Sequence, residues 1–134
     1  MTTIFIDSGP FRGAYNTRDQ YSDRAGGGFE KIRRGYYKMV TTDYIIDESY
    51  TGILISSNYE NAMEFDKLLR IGNMKIEKIT PQRFAAAQEV FRRFNKDKKW
   101  SFTDCTSYVV MKELKIKDVF TFDENFGEMG FRVL

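Results

Sequence analysis

The chain has no histidine, a single cysteine and two prolines among 134 residues. Without histidine, and with only Cys105, it cannot assemble the nitrogen and sulfur donors of a zinc site. The same lack denies a serine or cysteine nucleophile its usual base. A lone cysteine cannot close an internal disulfide, so a reducing cytoplasm is expected. Neither sign of charge dominates: 21 basic residues face 19 acidic ones, net +2. That excludes a histone-like tail that binds by bulk charge. No apolar run approaches the roughly 20 residues needed to cross a bilayer. The start carries no basic-then-apolar leader, and a soluble, cytoplasmic protein with no membrane partner is expected. No repeat, low-complexity tract or domain boundary interrupts residues 1–134, which suit one domain. Hydrophobic residues at 42%, with aromatics at 16%, are enough for an ordinary core.

What is present alternates between strand and helix. Residues 2–7 read as a short apolar strand covered on both faces, as in a parallel sheet, and Gly9-Pro10 breaks it. Residues 18–34 have helical character, but Gly26-Gly27-Gly28 predicts a break or loose hinge, because each glycine costs roughly 1 kcal/mol against alanine. Residues 38–41 form a second strand. Thr42 or Asp43 caps a helix to about residue 56, and residues 59–71 make a second helix. Residues 73–79 read as a strand. Thr80-Pro81 starts a helix with threonine as cap and proline first, and a polar, basic loop follows at 95–99. Ser101 or Thr103 caps a helix to about Leu114, and residues 119–123 and 131–134 are the last strands. This pattern predicts a three-layer α/β/α sandwich with a mostly parallel central sheet.

Four acids stand where such a sheet gathers its ligands, beyond strand ends or in early helical turns. Asp7 ends the first strand and Asp123 a late one, Asp104 opens a helix, and Glu48 lies in a strongly apolar helix. A carboxylate on a helix face that should pack is costly unless paired or bound to a cation. The adjacent Asp47 points about 100° away and is expected to face solvent. Taken singly, Asp7, Asp104 and Asp123 also suit turns or helix starts. Taken together, clustered anions raise one another's pKa, and a cation compensates them. An all-oxygen donor set fits Mg²⁺ or Mn²⁺. A carboxylate cluster around such an ion hydrolyses phosphodiesters by activating water and neutralising phosphate charge.

The segments that carry these acids resemble the PIN domain family, most closely the VapC-type ribonuclease toxins of prokaryotic toxin–antitoxin pairs. Ile4-Phe5-Ile6-Asp7-Ser8 resembles the opening strand and first acid. Thr41 to Thr51, with Asp47-Glu48, is similar to the second motif, in which the glutamate is the functional acid. Ser101-Phe102-Thr103-Asp104-Cys105 resembles the third motif, and Thr121-Phe122-Asp123-Glu124-Asn125-Phe126 with Gly130-Phe131 the fourth. The resemblance implies a Mg²⁺- or Mn²⁺-dependent endoribonuclease, often a homodimer, with RNA as substrate and a small antitoxin protein as partner. It makes Asp7, Glu48, Asp104 and Asp123 the catalytic and metal-binding acids. Gly26-Gly27-Gly28 departs from it, since relatives carry a continuous helix there.

Ser8 and Thr103 are candidates for supporting hydrogen bonds to a carboxylate or metal-bound water, or for plain capping. Arg92, Arg93, Lys98 and Lys99 precede the third motif. They read either as a solvated helix end or as contacts to an RNA backbone. Trp100 reads as core, or as a surface on which a base stacks. Two rivals remain: a catalytically inactive PIN-like module that binds RNA or protein, and a phosphate-accepting signalling domain. The latter typically pairs acids after its first strand, where this chain has Ser8-Gly9-Pro10.

Overall fold

A computed structural model describes residues 1–134. Its centre is the strand β1 (Thr3–Ile6), which pairs in parallel with β2 (Lys38–Thr42), Phe5 opposite Val40. β3 (Lys75–Glu77) extends that side. β4 (Asp118–Phe120) lies along the other edge of β1, and β5 (Arg132–Val133) beyond it. The order is β3-β2-β1-β4-β5, and every pairing is parallel.

Parallel neighbours need crossovers, and helices supply them. α1 (Ser8–Ala14) and α2 (Ser22–Arg34) join β1 to β2, while α3 (Asp43–Ser56) and α4 (Tyr59–Ile71) join β2 to β3. α5 (Pro81–Phe94) and α6 (Phe102–Glu113) lead to β4, and the short α7 (Asn125–Glu128) to β5. Successive strand side chains point to opposite faces. Ile4, Phe5 and Ile6 are all wholly buried, so both faces of the sheet are covered and the layers are α/β/α. The core is continuous through the sheet and includes Phe11, Ile32, Ile45, Phe65, Met111 and Phe126.

The local stops and starts follow capping chemistry. Thr42 accepts from Ile45 N at 3.2 Å and Thr80 from Arg83 N at 3.2 Å. Ser101, rather than Thr103, caps α6. One helix stands where none was expected, and two expectations are corrected. Gly9 and Pro10, past the end of the first strand, lie in α1, where the first N–H groups have no intrahelical partner, so proline loses nothing. α2 runs unbroken through Gly26-Gly27-Gly28 and begins at Ser22, not at 18. A Cβ at Gly28 would lie 2.1 Å from the Phe120 ring, so this glycine lets the helix press onto β4. Finally, β4 ends at Phe120, which leaves Thr121 to Asp123 as a turn rather than strand.

Candidate active site

The chain leaves β1 on one side for β2 and β3 and returns on the other for β4, so the strand order reverses between β1 and β4. Crevices of this kind, at the carboxyl ends of the strands, are where α/β sheets bind ligands. Asp7 is the first residue past β1. Its N–H donates to the Phe120 carbonyl at 3.0 Å, which ties it to the end of β4. It is also the cap of α1: Oδ1 accepts from Ser8 N at 2.8 Å, and Oδ2 accepts from the Thr121 hydroxyl at 2.7 Å. The Thr121 oxygen in turn accepts from Asp123 N at 3.0 Å. One hydroxyl therefore couples the first acid to the fourth.

Asp104 is fixed from two sides. It forms a reciprocal capping box with Ser101, its N–H donating to Ser101 Oγ at 3.0 Å and its Oδ2 accepting from Ser101 N at 3.3 Å. Asn125 Nδ2 donates to the same Oδ2 at 3.1 Å and lies 3.5 Å from Asp123 Oδ2, bridging the third and fourth acids. Upstream, the Asn95 amide clasps Trp100 through two bonds of 2.8 Å, which closes the loop before Ser101. Glu48 projects from the second turn of α3 and is exposed, unlike the packed position expected of it.

Asp7, Glu48, Asp104 and Asp123 all line one cleft of about 540 Å³, with Ser8, Arg12 and Asp47 also on its walls. Asp47 faces solvent as expected, yet it borders the same cleft as Glu48, because the opening is wide enough to take both. Thr103 does not line it. Its carbonyl accepts from the Thr106 hydroxyl, and Thr121, Asn125 and Ser101 supply the supporting bonds instead. These were missed because a hydroxyl or amide two residues from an acid has no distinctive spacing. Only Ser101-x-x-Asp104 carried a legible signal, the capping-box pattern.

The electrostatics follow from burial. Asp7 is only 7% exposed. Its pKa is pushed up to about 7, first by loss of hydration and then by Asp104 and Asp123, against the lowering bonds from Thr121 and Ser8. Asp104 is raised too, chiefly by burial, with Asp123 adding and Asn125 opposing. Burial and the neighbouring Asp104 push the Cys105 thiol up to about 11, which leaves it inert. The donors are all oxygen, and two of them are carboxylates whose charged form the fold disfavours. A hard divalent cation suits that set. No group of three or more acidic side chains stands close enough to enclose an ion as the side chains lie.

The basic residues before the third acid lie elsewhere. Arg92 pairs with Glu89 at 2.9 Å, Arg93 sits 5.2 Å from the Phe94 ring centre, and Lys98 is 3.7 Å from Glu128. Neither these nor Lys99 line the cleft. Trp100 is buried against Phe94 and Tyr108, so it is core and not a stacking surface.

A parallel sheet in this order, with acids over the β1–β4 crevice, defines a PIN-type α/β domain. The sequence profile of the PIN domain matches residues 4–132, and the chain belongs to the PIN domain family. No curated protein sequence matches it. Among solved structures it is similar to VapC20 of Mycobacterium tuberculosis, a sarcin–ricin loop cleaving toxin. The TM-score is 0.84 at 21% identity, over 96% of this chain and 95% of that one. It is also similar to FitAcB from Neisseria gonorrhoeae, with a TM-score of 0.61 at 13% identity over 98% and 96% of the two chains. At these identities the likeness is one of fold. No helix is long and apolar enough to cross a membrane.

Proposed function

We propose that this protein is a divalent-metal-dependent endoribonuclease that acts in the cytoplasm as the toxin of a toxin–antitoxin pair. The observation that carries the reading is the meeting of four carboxylates in one cleft, two of them buried and raised in pKa. The likeness to a toxin that cleaves the sarcin–ricin loop supports RNA as the substrate class. Asp7, Glu48, Asp104 and Asp123 would hold Mg²⁺ or Mn²⁺, with water or substrate completing its shell. Such an ion lowers the pKa of water and neutralises charge on an attacked phosphate. The chain's own part is positioning. Thr121 and Ser8 N hold both oxygens of Asp7, and Asn125 spans Asp104 and Asp123. Asp7, Asp104 and Asp123 are thus oriented by the protein before a cation binds, while the exposed Glu48, held by no hydrogen bond, would close on it. A homodimer and a small antitoxin complete the proposed assembly.

The test is incubation of the purified protein with RNA in Mn²⁺, in Mg²⁺ and in EDTA. Cleavage that appears with metal and stops with chelator supports the reading. RNA binding with no cleavage under any of these conditions would favour a non-catalytic module instead. Co-purification of a small protein encoded beside the gene tests the antitoxin.

A further inference from the structure

The acid cleft is not wholly acidic. Arg12, in the last turn of α1, lines it together with Asp7, Glu48 and Asp123. It also lines a second cleft of about 510 Å³, which shares Asp7, Ser8 and Asp123 with the first. Arg12 therefore stands where the two clefts join. It is exposed, and it makes no ion pair within the chain although carboxylates surround it. The backbone opposite makes room for it. Gly52 lies one turn after Glu48 on α3, and a Cβ there would fall 2.5 Å from Arg12 Nε and 3.0 Å from its Cζ. The second cleft is walled by Tyr21 and Phe122, whose rings stack at 4.7 Å and 22°, with the Arg24 guanidinium 4.8 Å from the Phe122 centre.

A guanidinium free of protein partners, beside carboxylates suited to a cation, matches a substrate that brings its own anions. Its planar fork of donors fits phosphate bidentately, and aromatic walls suit a base of any identity. Resting on the ribonuclease reading, we propose that Arg12 binds a backbone phosphate next to the one at the carboxylates. The RNA strand continues past it into the second cleft, where Tyr21 and Phe122 meet the following base. Gly52 is the positioning residue that keeps the Arg12 head group in place.

The experiment is binding of a labelled single-stranded RNA in Ca²⁺ at several salt concentrations, with melting temperatures measured in parallel. Arg12→Ala is expected to weaken binding at least about tenfold, as loss of a charge-assisted contact does. It should also flatten the log–log salt slope by roughly 0.7. Arg12→Lys should restore the slope but not the full affinity. Gly52→Ala should weaken binding while raising the melting temperature, since alanine is the better helix former and the added methyl meets only a flexible side chain. Native affinity and slope in Arg12→Ala would overturn the proposal and leave Arg12 as a counter-ion to the acids. A native protein that binds RNA but never cleaves it in Mn²⁺ would sink the ribonuclease reading alone, with Arg12 still decided by the binding series. No RNA binding by the native protein would overturn both.

Discussion

Asp7 concentrates the chemistry of the site in one residue. Its place after an apolar strand was legible in the sequence because a strand end is the one position where a parallel sheet offers side chains to a ligand. Its partners were not legible, since Thr121 reaches it across 114 positions of chain. The raised pKa has a direct consequence for stability without metal. Between an unfolded value of 3.8 and a folded value of about 7, the folded protein keeps a proton that the unfolded chain has lost. Stability therefore falls as pH rises through that window, by about 4 kcal/mol at most. Asp104 contributes in the same direction. Urea titrations at pH 5 and pH 8 in EDTA should show the loss, and Asp7→Asn should remove most of it, because asparagine still caps α1. Equal stability of the native protein at both pH values would contradict the burial argument.

At the scale of elements, most helix starts were legible because Thr42, Thr80 and Ser101 are caps with a chemical signature. α1 was missed because Gly9-Pro10 reads as a break when its position in the first turn is not considered. α2 was mis-set for a related reason. Helix propensity counts three glycines as a penalty, but the contact between Gly28 and Phe120 is a tertiary fact invisible to local sequence. The two effects separate by mutation. Nothing lies within 4 Å of a Cβ on Gly26 or Gly27, whereas one on Gly28 would overlap the Phe120 ring. Gly26→Ala should stabilise by up to about 1 kcal/mol, and Gly28→Ala should destabilise by about 1–3 kcal/mol. Thermal or urea melts of the two variants check both signs. The end of α5 gives a further contrast. Arg92, Arg93 and Lys98 each meet a neighbour of their own, and none borders the cleft. Lys98→Ala/Lys99→Ala should leave the salt slope of RNA binding unchanged. A slope flattened by a unit or more would return those lysines to the RNA path.

For the whole molecule, the alternation of strand and helix was enough to foresee a parallel α/β/α sandwich. The strand order β3-β2-β1-β4-β5 was not, because sequence order does not say on which edge of β1 the returning strand will lie. That order makes the β1–β4 crevice and brings acids from just past β1, from α3 and α6, and from the turn after β4 to it. A cation bound there bridges elements distant in sequence, so it should stabilise the whole fold by mass action, by roughly 2.7 kcal/mol at a hundredfold excess over its Kd. A thermal scan with and without Mn²⁺ measures this. Asp104→Asn should shrink the rise, and should itself melt higher than the native protein in EDTA because it relieves like-charge repulsion. The most direct measurement is the rate of Mn²⁺-dependent RNA cleavage by Asp7→Asn, Glu48→Gln, Asp104→Asn and Asp123→Asn, set beside Asp47→Asn. If one metal centre does the chemistry, each of the first four should lose at least about a hundredfold in rate, since each removes an anionic ligand of the ion that neutralises charge on the phosphate, while Asp47→Asn stays near native. Native rates in any of the four, or an equal loss in Asp47→Asn, would contradict it.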